Sequence, residues 1–223
     1  LRKIMKKILT ILLSFLFISL QAAKAEVGFG VTGAVHFFDA SGTETTRSSG
    51  QKNTGSHSEE VGVPELFIEA VTDNGGAFGI SYIPTRELGS KSRTDTSDGT
   101  GSESGTYKAE AELDNVIQLY ADIPVTDAYG ALIYGKVGVQ HATITTLESL
   151  NSGSTYPDED VMGLTIGIGA KGDLNFGNNL YYKAEVTYTD FEDYEADSNS
   201  NPANKVVAEL EDTAVKFSIG YKF

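Results

Sequence analysis

Runs in which every second residue is apolar recur along this chain, separated by stretches of Ser, Thr, Gly, Asn and Asp that show no period. A period of two is that of a β-strand with one apolar face. In the first run Val27, Phe29, Val31, Gly33, Val35 and Phe37 alternate with Gly28, Gly30, Thr32, Ala34 and His36. The second, about 61 to 73, sets Leu66, Ile68 and Ala70 against Glu65, Phe67 and Glu69, and closes on the tight-turn signal Asp73-Asn74-Gly75-Gly76. The third, about 77 to 87, sets Phe78, Ile80 and Tyr82 against Ala77, Gly79 and Ser81.

The fourth run is the longest. Odd positions from Tyr107 through Leu113 and Asn115 to Ile123 oppose Lys108, Glu110, Glu112, Asp114, Val116, Gln118, Tyr120 and Asp122. Pro124 to Asp127 reads as a short connection to the fifth run, where Tyr129 to Val139 oppose Gly130 to Gln140, with Lys136 on the second face. Met162, Leu164, Ile166, Ile168 and Ala170 oppose small residues and Lys171 in the sixth, with a turn expected over Asp173 to Asn179. The seventh sets Leu180, Tyr182, Ala184, Val186 and Tyr188 against Tyr181, Lys183, Glu185, Thr187 and Thr189. The eighth runs to the end of the sequence, with Val215, Phe217, Ile219, Tyr221 and Phe223 opposite Ala214, Lys216, Ser218, Gly220 and Lys222.

Eight strands follow, and their connections alternate. Those after the second, fourth and sixth are short; those after the first, third, fifth and seventh are long and polar, about 41 to 60, 88 to 106, 148 to 160 and 191 to 204. Short turns on one side and long loops on the other are the pattern of a membrane β-barrel. The predicted class is therefore all-β: an eight-stranded antiparallel up-and-down transmembrane barrel. The fourth and eighth runs exceed the roughly 9–11 residues a bilayer needs, so some sheet is expected to protrude.

A soluble barrel of lipocalin type has the same alternation with its faces exchanged, and three features favour the membrane. The second face combines charges with Gly, Ser and Thr, as a narrow lumen requires: Glu65, Glu69, Glu110, Glu112, Asp114, Lys136, Lys171, Lys183, Glu185 and Lys216. Aromatic residues stand near run ends on the apolar face, at Phe29, Phe37, Tyr82, Tyr107, Tyr129, Tyr188 and Tyr221, as interfacial girdles do. The last nine residues alternate and end on Phe217, Ile219, Tyr221 and Phe223. This ending is similar to the C-terminal assembly signal of bacterial outer-membrane proteins. With the strand count, the chain resembles small barrels of the outer membrane protein A transmembrane-domain and outer membrane protein X type. That resemblance implies a place in the cell outer membrane with both termini periplasmic, contact with outer-membrane lipid and lipopolysaccharide, and recognition of the C-terminal strand by the barrel assembly machinery.

The N-terminus adds a secretory signal. Basic residues up to Lys7 precede an apolar run from Ile8 to Leu20, too short to span a bilayer, and Ala23 and Ala25 suit cleavage before Glu26. Residues 1–25 are thus expected to be a cleaved signal and 26–223 the barrel, with either Leu1 or Met5 as a start. The chain carries 17 Lys and Arg against 31 Asp and Glu; without residues 1–25 it carries 12 against 31, a formal charge of −19. Such a balance disfavours nucleic acid. Absence of Cys excludes a disulfide framework and a thiol nucleophile.

Paired charges filling the lumen point to a structural or surface-interacting monomer that is no enzyme and needs no cofactor or metal. A narrow pore is the second reading, and an inward excess of carboxylates would make it cation-preferring. A third is a lipid A-modifying enzyme. His141 with Thr143 two residues on resembles the His-x-Ser arrangement of lipid A deacylases, with Thr in the place of Ser and no acid assigned. Asp158-Glu159-Asp160 is a further acidic feature that would suit divalent ions bridging to lipopolysaccharide phosphates.

Overall fold

The computed structural model describes residues 25–46, 50–95, 105–149, 155–174, 179–199 and 203–223. The expected signal segment lies outside them but for Ala25, as do residues 150–154 of the third long connection and 175–178 of the last expected turn. The strands are β1 (Glu26–Thr46), β2 (Gln51–Val71), β3 (Ala77–Ile83), β4 (Arg86–Asp95), β5 (Gly105–Ala128), β6 (Ala131–Ser149), β7 (Glu159–Asp173), β8 (Leu180–Phe191), β9 (Tyr194–Asp197) and β10 (Lys205–Lys222). β4 prolongs β3 beyond a break at Pro84, which has no N–H to give a ladder, and β9 prolongs β8. Eight antiparallel strands thus form the ring β1-β2-β3-β5-β6-β7-β8-β10, which closes where β10 pairs with β1.

Each strand shows the expected faces near the end that carries the termini. Val27 to Phe37 point outward at odd positions, with Val31 58% exposed, while Thr32, Ala34 and His36 are buried inside. Eleven residues from Val27 to Phe37 match the length a tilted strand needs to cross hydrocarbon. Inward glycines make room for three large rings. A Cβ at Gly79 would lie 2.4 Å from Tyr120, one at Gly169 the same distance from Tyr134, and one at Gly220 the same from Tyr181.

Connections depart from the sequence reading in two ways. The turn between β5 and β6 is Tyr129-Gly130, with φ of 53° and 81°, both left-handed as a two-residue hairpin turn requires. Pro124 to Asp127 belong to β5 instead, at a register slip between Pro124 and Thr126 that accommodates the missing N–H. Tyr129 is accordingly a turn-tip residue and not part of a girdle. The long polar connections are largely sheet: β1 and β2 stay paired to Thr46↔Gln51, β4 and β5 to Asp95↔Gly105, and β9 pairs with the start of β10. Ser- and Thr-rich segments continue a ladder already in register, although they show no apolar period of their own. Tyr107 pairs with Arg93 far up this extension, beyond the outward apolar band.

The polarity of the wall reverses along the axis. Above Phe37, Tyr82, Tyr188 and Val215 the outward positions become Asp39, Ser58, Asp190 and Glu211, all exposed. The interior changes with them, to an apolar cluster that includes Phe38, Leu88, Leu113, Ile144 and Leu210. In β5 the exchange is made by a bulge. Asp114 pairs with Thr143 and Ile117 with His141, so Asn115 and Val116 together face Ala142, and Asn115 takes a φ of 51°. One extra residue shifts a period-two pattern to the other face.

Candidate functional site

The interior of the membrane-length band holds the charges. Seven strands, β1, β2, β5, β6, β7, β8 and β10, bring them together because each contributes every second residue to the lumen. Lys183 on β8 lies 2.7 Å from Asp122 and 3.0 Å from Glu69. Lys136 on β6 lies 2.8 Å from Glu185 and 3.2 Å from Asp122, with its ammonium 3.6 Å from the Tyr120 ring centre. Lys171 stands 3.8 Å from Asp122. Tyrosines complete the carboxylates: Tyr120 donates to Glu69 at 2.6 Å, Tyr181 to its other oxygen at 2.9 Å, and Tyr134 to Glu185 at 2.9 Å. Toward the far end, Lys216 donates to Glu65 at 2.7 Å. His36 lies between Glu65 at 3.1 Å and Asp212 at 2.8 Å.

Beside these pairs runs a neutral polar tier. Gln118 donates to Thr165 at 3.0 Å, and Gln140 to Thr165 at 3.2 Å and Thr189 at 3.1 Å. In a medium of low polarity an unpaired buried charge is strongly penalised, so partners from strands distant in sequence hold the ring in one register.

Glu65, Glu69, Lys136, Lys171, Lys183, Glu185 and Lys216 all lie in this interior. Glu110, Glu112 and Asp114 do not. The bulge at Asn115 and Val116 reverses the parity of β5 above it, turning these three acids to the outer face, where Asp114 accepts from Thr145 at 2.8 Å. Their inward places go to Leu113, fully buried, and Ala111. Three charged residues absent from the predicted set join it: Asp122, Asp212 and Arg86. Among the described residues the buried acids are then Glu65, Glu69, Asp122, Glu185 and Asp212, matched by Arg86 and four lysines. The expected excess of inward carboxylates, and with it the cation preference of a pore, is thereby removed.

Asp122 was legible, since it shares the parity of Gln118 and Tyr120 and pairs with Lys136 across the β5–β6 hairpin. Arg86 carried no such sign: it follows the Pro84 break, and its guanidinium sits 5.1 Å from the Phe38 ring centre. His57, within the stretch of about 41 to 60 expected as a long connection, is on β2, 3.1 Å from Glu59. The His141 and Thr143 pair faces outward near the reversal, but the Thr143 hydroxyl donates to Asp160 at 2.8 Å. An acid bonded directly to the hydroxyl, with no histidine between, is not the order of a nucleophilic triad. Among the described residues no three His, Asp or Glu side chains group as for a metal ion.

The closed antiparallel ring, apolar outside and charge-filled inside, defines a transmembrane β-barrel. The chain belongs to the outer membrane protein beta-barrel domain family, whose model matches residues 8–223. It is a protein of the cell outer membrane, and its outward apolar band faces lipid. Among solved structures it is similar to the outer membrane protease OmpT from Escherichia coli, with 10% identity over 89% of this chain and 97% of that one and a TM-score of 0.46. Similar too are the outer membrane protein AlkL, with 11% identity over 90% and 91% and a TM-score of 0.48, and Neisserial surface protein A, with 11% over 86% and 97% and a TM-score of 0.40. No curated protein matches.

Proposed function

We propose that this protein is a sealed, non-conducting structural barrel that presents its extended outer sheet and loops to the surroundings. The observation that carries this reading is the filled lumen. Between the inward faces of Glu65, Lys136, Lys183, Glu185 and Lys216 the remaining cavity is about 10 Å³. A single water needs roughly 10–15 Å³ on this measure, so a hydrated ion has no path there without breaking pairs. Among the described residues the five buried acids are matched by Arg86 and four lysines, so no excess of carboxylates draws cations in.

In this reading residues 1–25 are a signal removed before Glu26, both termini lie in the periplasm, and the strand ending in Phe217, Ile219, Tyr221 and Phe223 is the one the assembly machinery takes up. Closure of β1 on β10 leaves no strand edge inside the band to share, which supports a monomer among lipid and lipopolysaccharide. No catalytic step is assigned to it.

The test is single-channel conductance of the refolded protein in planar bilayers, with Lys136→Ala beside it. Silence from the folded wild type is the expected result. Discrete steps that change in size or selectivity in the variant would replace this reading with that of a narrow pore.

A further inference from the structure

The reversed half of the barrel does not fill itself. Above the apolar cluster lies a cavity of about 460 Å³, open at the far end. Leu88, Ile144 and Leu210 belong both to its lining and to the cluster beneath, so it is a blind cup with an apolar floor. Its wall carries Ala40, Ala111 and Ala208 at inward positions where larger side chains would have closed the space. An open apolar hollow of this size is poorly hydrated and costs stability relative to a filled one. It also falls within the 300–1,000 Å³ range typical of small-molecule sites.

The few polar groups set its chemistry. Glu44 lines the cup, and its Oε1 accepts from Tyr156 at 2.8 Å and from Asn204 at 3.2 Å. His57 lines it from β2, its ring packed over Gly89, where a Cβ would lie 2.3 Å away. Among the described residues no Lys or Arg is in the lining, which Glu110 and Glu209 also border, and the chain as a whole carries a formal charge of −14. A carboxylate in the wall of a water-poor hollow on an acidic protein repels anions.

We propose that the cup is a binding site for a small neutral apolar molecule, of the class of medium-length aliphatic alcohols or hydrocarbons, taken from outside the cell. Its floor makes it a receptor pocket and not a channel. The molecule fills the space that Ala40, Ala111 and Ala208 leave, and any cationic end is tolerated at the mouth where an anionic end is not.

The test uses the full chain in nanodiscs of deuterated lipid, titrated with 1-octanol and followed by methyl NMR. Saturable shifts are expected at Ala40, Ala111 and Ile144, while lipid-facing Ile166 and Val215 change only in proportion to octanol. Ala208→Trp, which fills the cup, should weaken the saturable response at least about tenfold with the lipid-face methyls unchanged; the milder Ala40→Leu serves should the first not fold. Octanoate should bind at least about tenfold more weakly than octanol. Cup methyls that respond no differently from the lipid face, or filled variants that bind as well as wild type, would overturn the site. Contacts from protonated lipid chains to those methyls without octanol would overturn the occupant by showing a lipid tail in its place. Equal affinity for octanoate would overturn the charge selectivity.

Discussion

The two halves of this barrel solve the same packing problem with opposite materials. Within the lipid-facing band, Lys183, Asp122, Glu69, Lys136 and Glu185 fill the interior and aliphatic residues such as Val31 and Ile166 cover the outside. In the extension, Phe38, Leu113 and Leu210 fill the interior, and Asp39, Glu112 and Glu211 face out. The difference follows from the solvent outside. Hydrocarbon takes apolar side chains, which leaves polar ones to satisfy one another within. Water takes the polar ones, and the ordinary hydrophobic core returns. One continuous sheet serves both because a strand has two faces and a bulge can exchange them.

This contrast can be broken most severely at its hinge. Deleting Asn115 removes the bulge and turns Glu110, Glu112 and Asp114 inward against Leu88 and Ile144. Three unpaired buried carboxylates cost well over about 5 kcal/mol together, so the extension should fail to form. Limited proteolysis of the refolded protein should then cut above Asn115 while the band stays protected.

Next comes the charged half. Lys183→Met leaves Glu69 and Asp122 without their closest cation and should lower stability to urea by about 3–5 kcal/mol. In the apolar half Leu113→Ala, which empties a fully buried site, should cost about 2–5 kcal/mol in the same assay. Glu112→Gln gives the smallest effect. On the outer face in water it should shift the midpoint by no more than about 0.5 kcal/mol, whereas a lumenal glutamate would show the loss of a buried partner. A large effect there would restore the single parity that β5 was expected to keep.

The faces of the band were legible throughout. Strict alternation fixed inward and outward sides from Val27 to Phe37, in Leu66 to Glu69, in Met162 to Lys171 and at the C-terminal strand. What escaped was every change of register. Bulges leave little trace in composition, but β5 did carry one: Asn115 stood on the apolar face and Val116 on the polar face, adjacent residues each out of place. Asn is also among the few residues at ease with positive φ. The turn at Tyr129-Gly130 was hidden by the stronger breaker at Pro124, which sits in a bulge. The upper extension was hidden because, beyond the tier of Phe38, Leu113 and Leu210, its inward positions are small, as at Ala40, Gly42 and Ala208, so alternation gives little contrast. Asp212 and Arg86 lie in that poorly patterned zone, and their place in the charge balance went unseen with it.

The bulge at Asn115 and Val116 also acts as a reading-frame mark. Strand residues are read in twos, so a hairpin of the extension can be lengthened or trimmed by matched pairs on both of its strands and still keep its inner side inside. A change of one residue below the bulge would corrupt the lipid face, and one above it would corrupt the core. The outer half of this barrel can therefore change height in steps of two without disturbing the membrane band beneath.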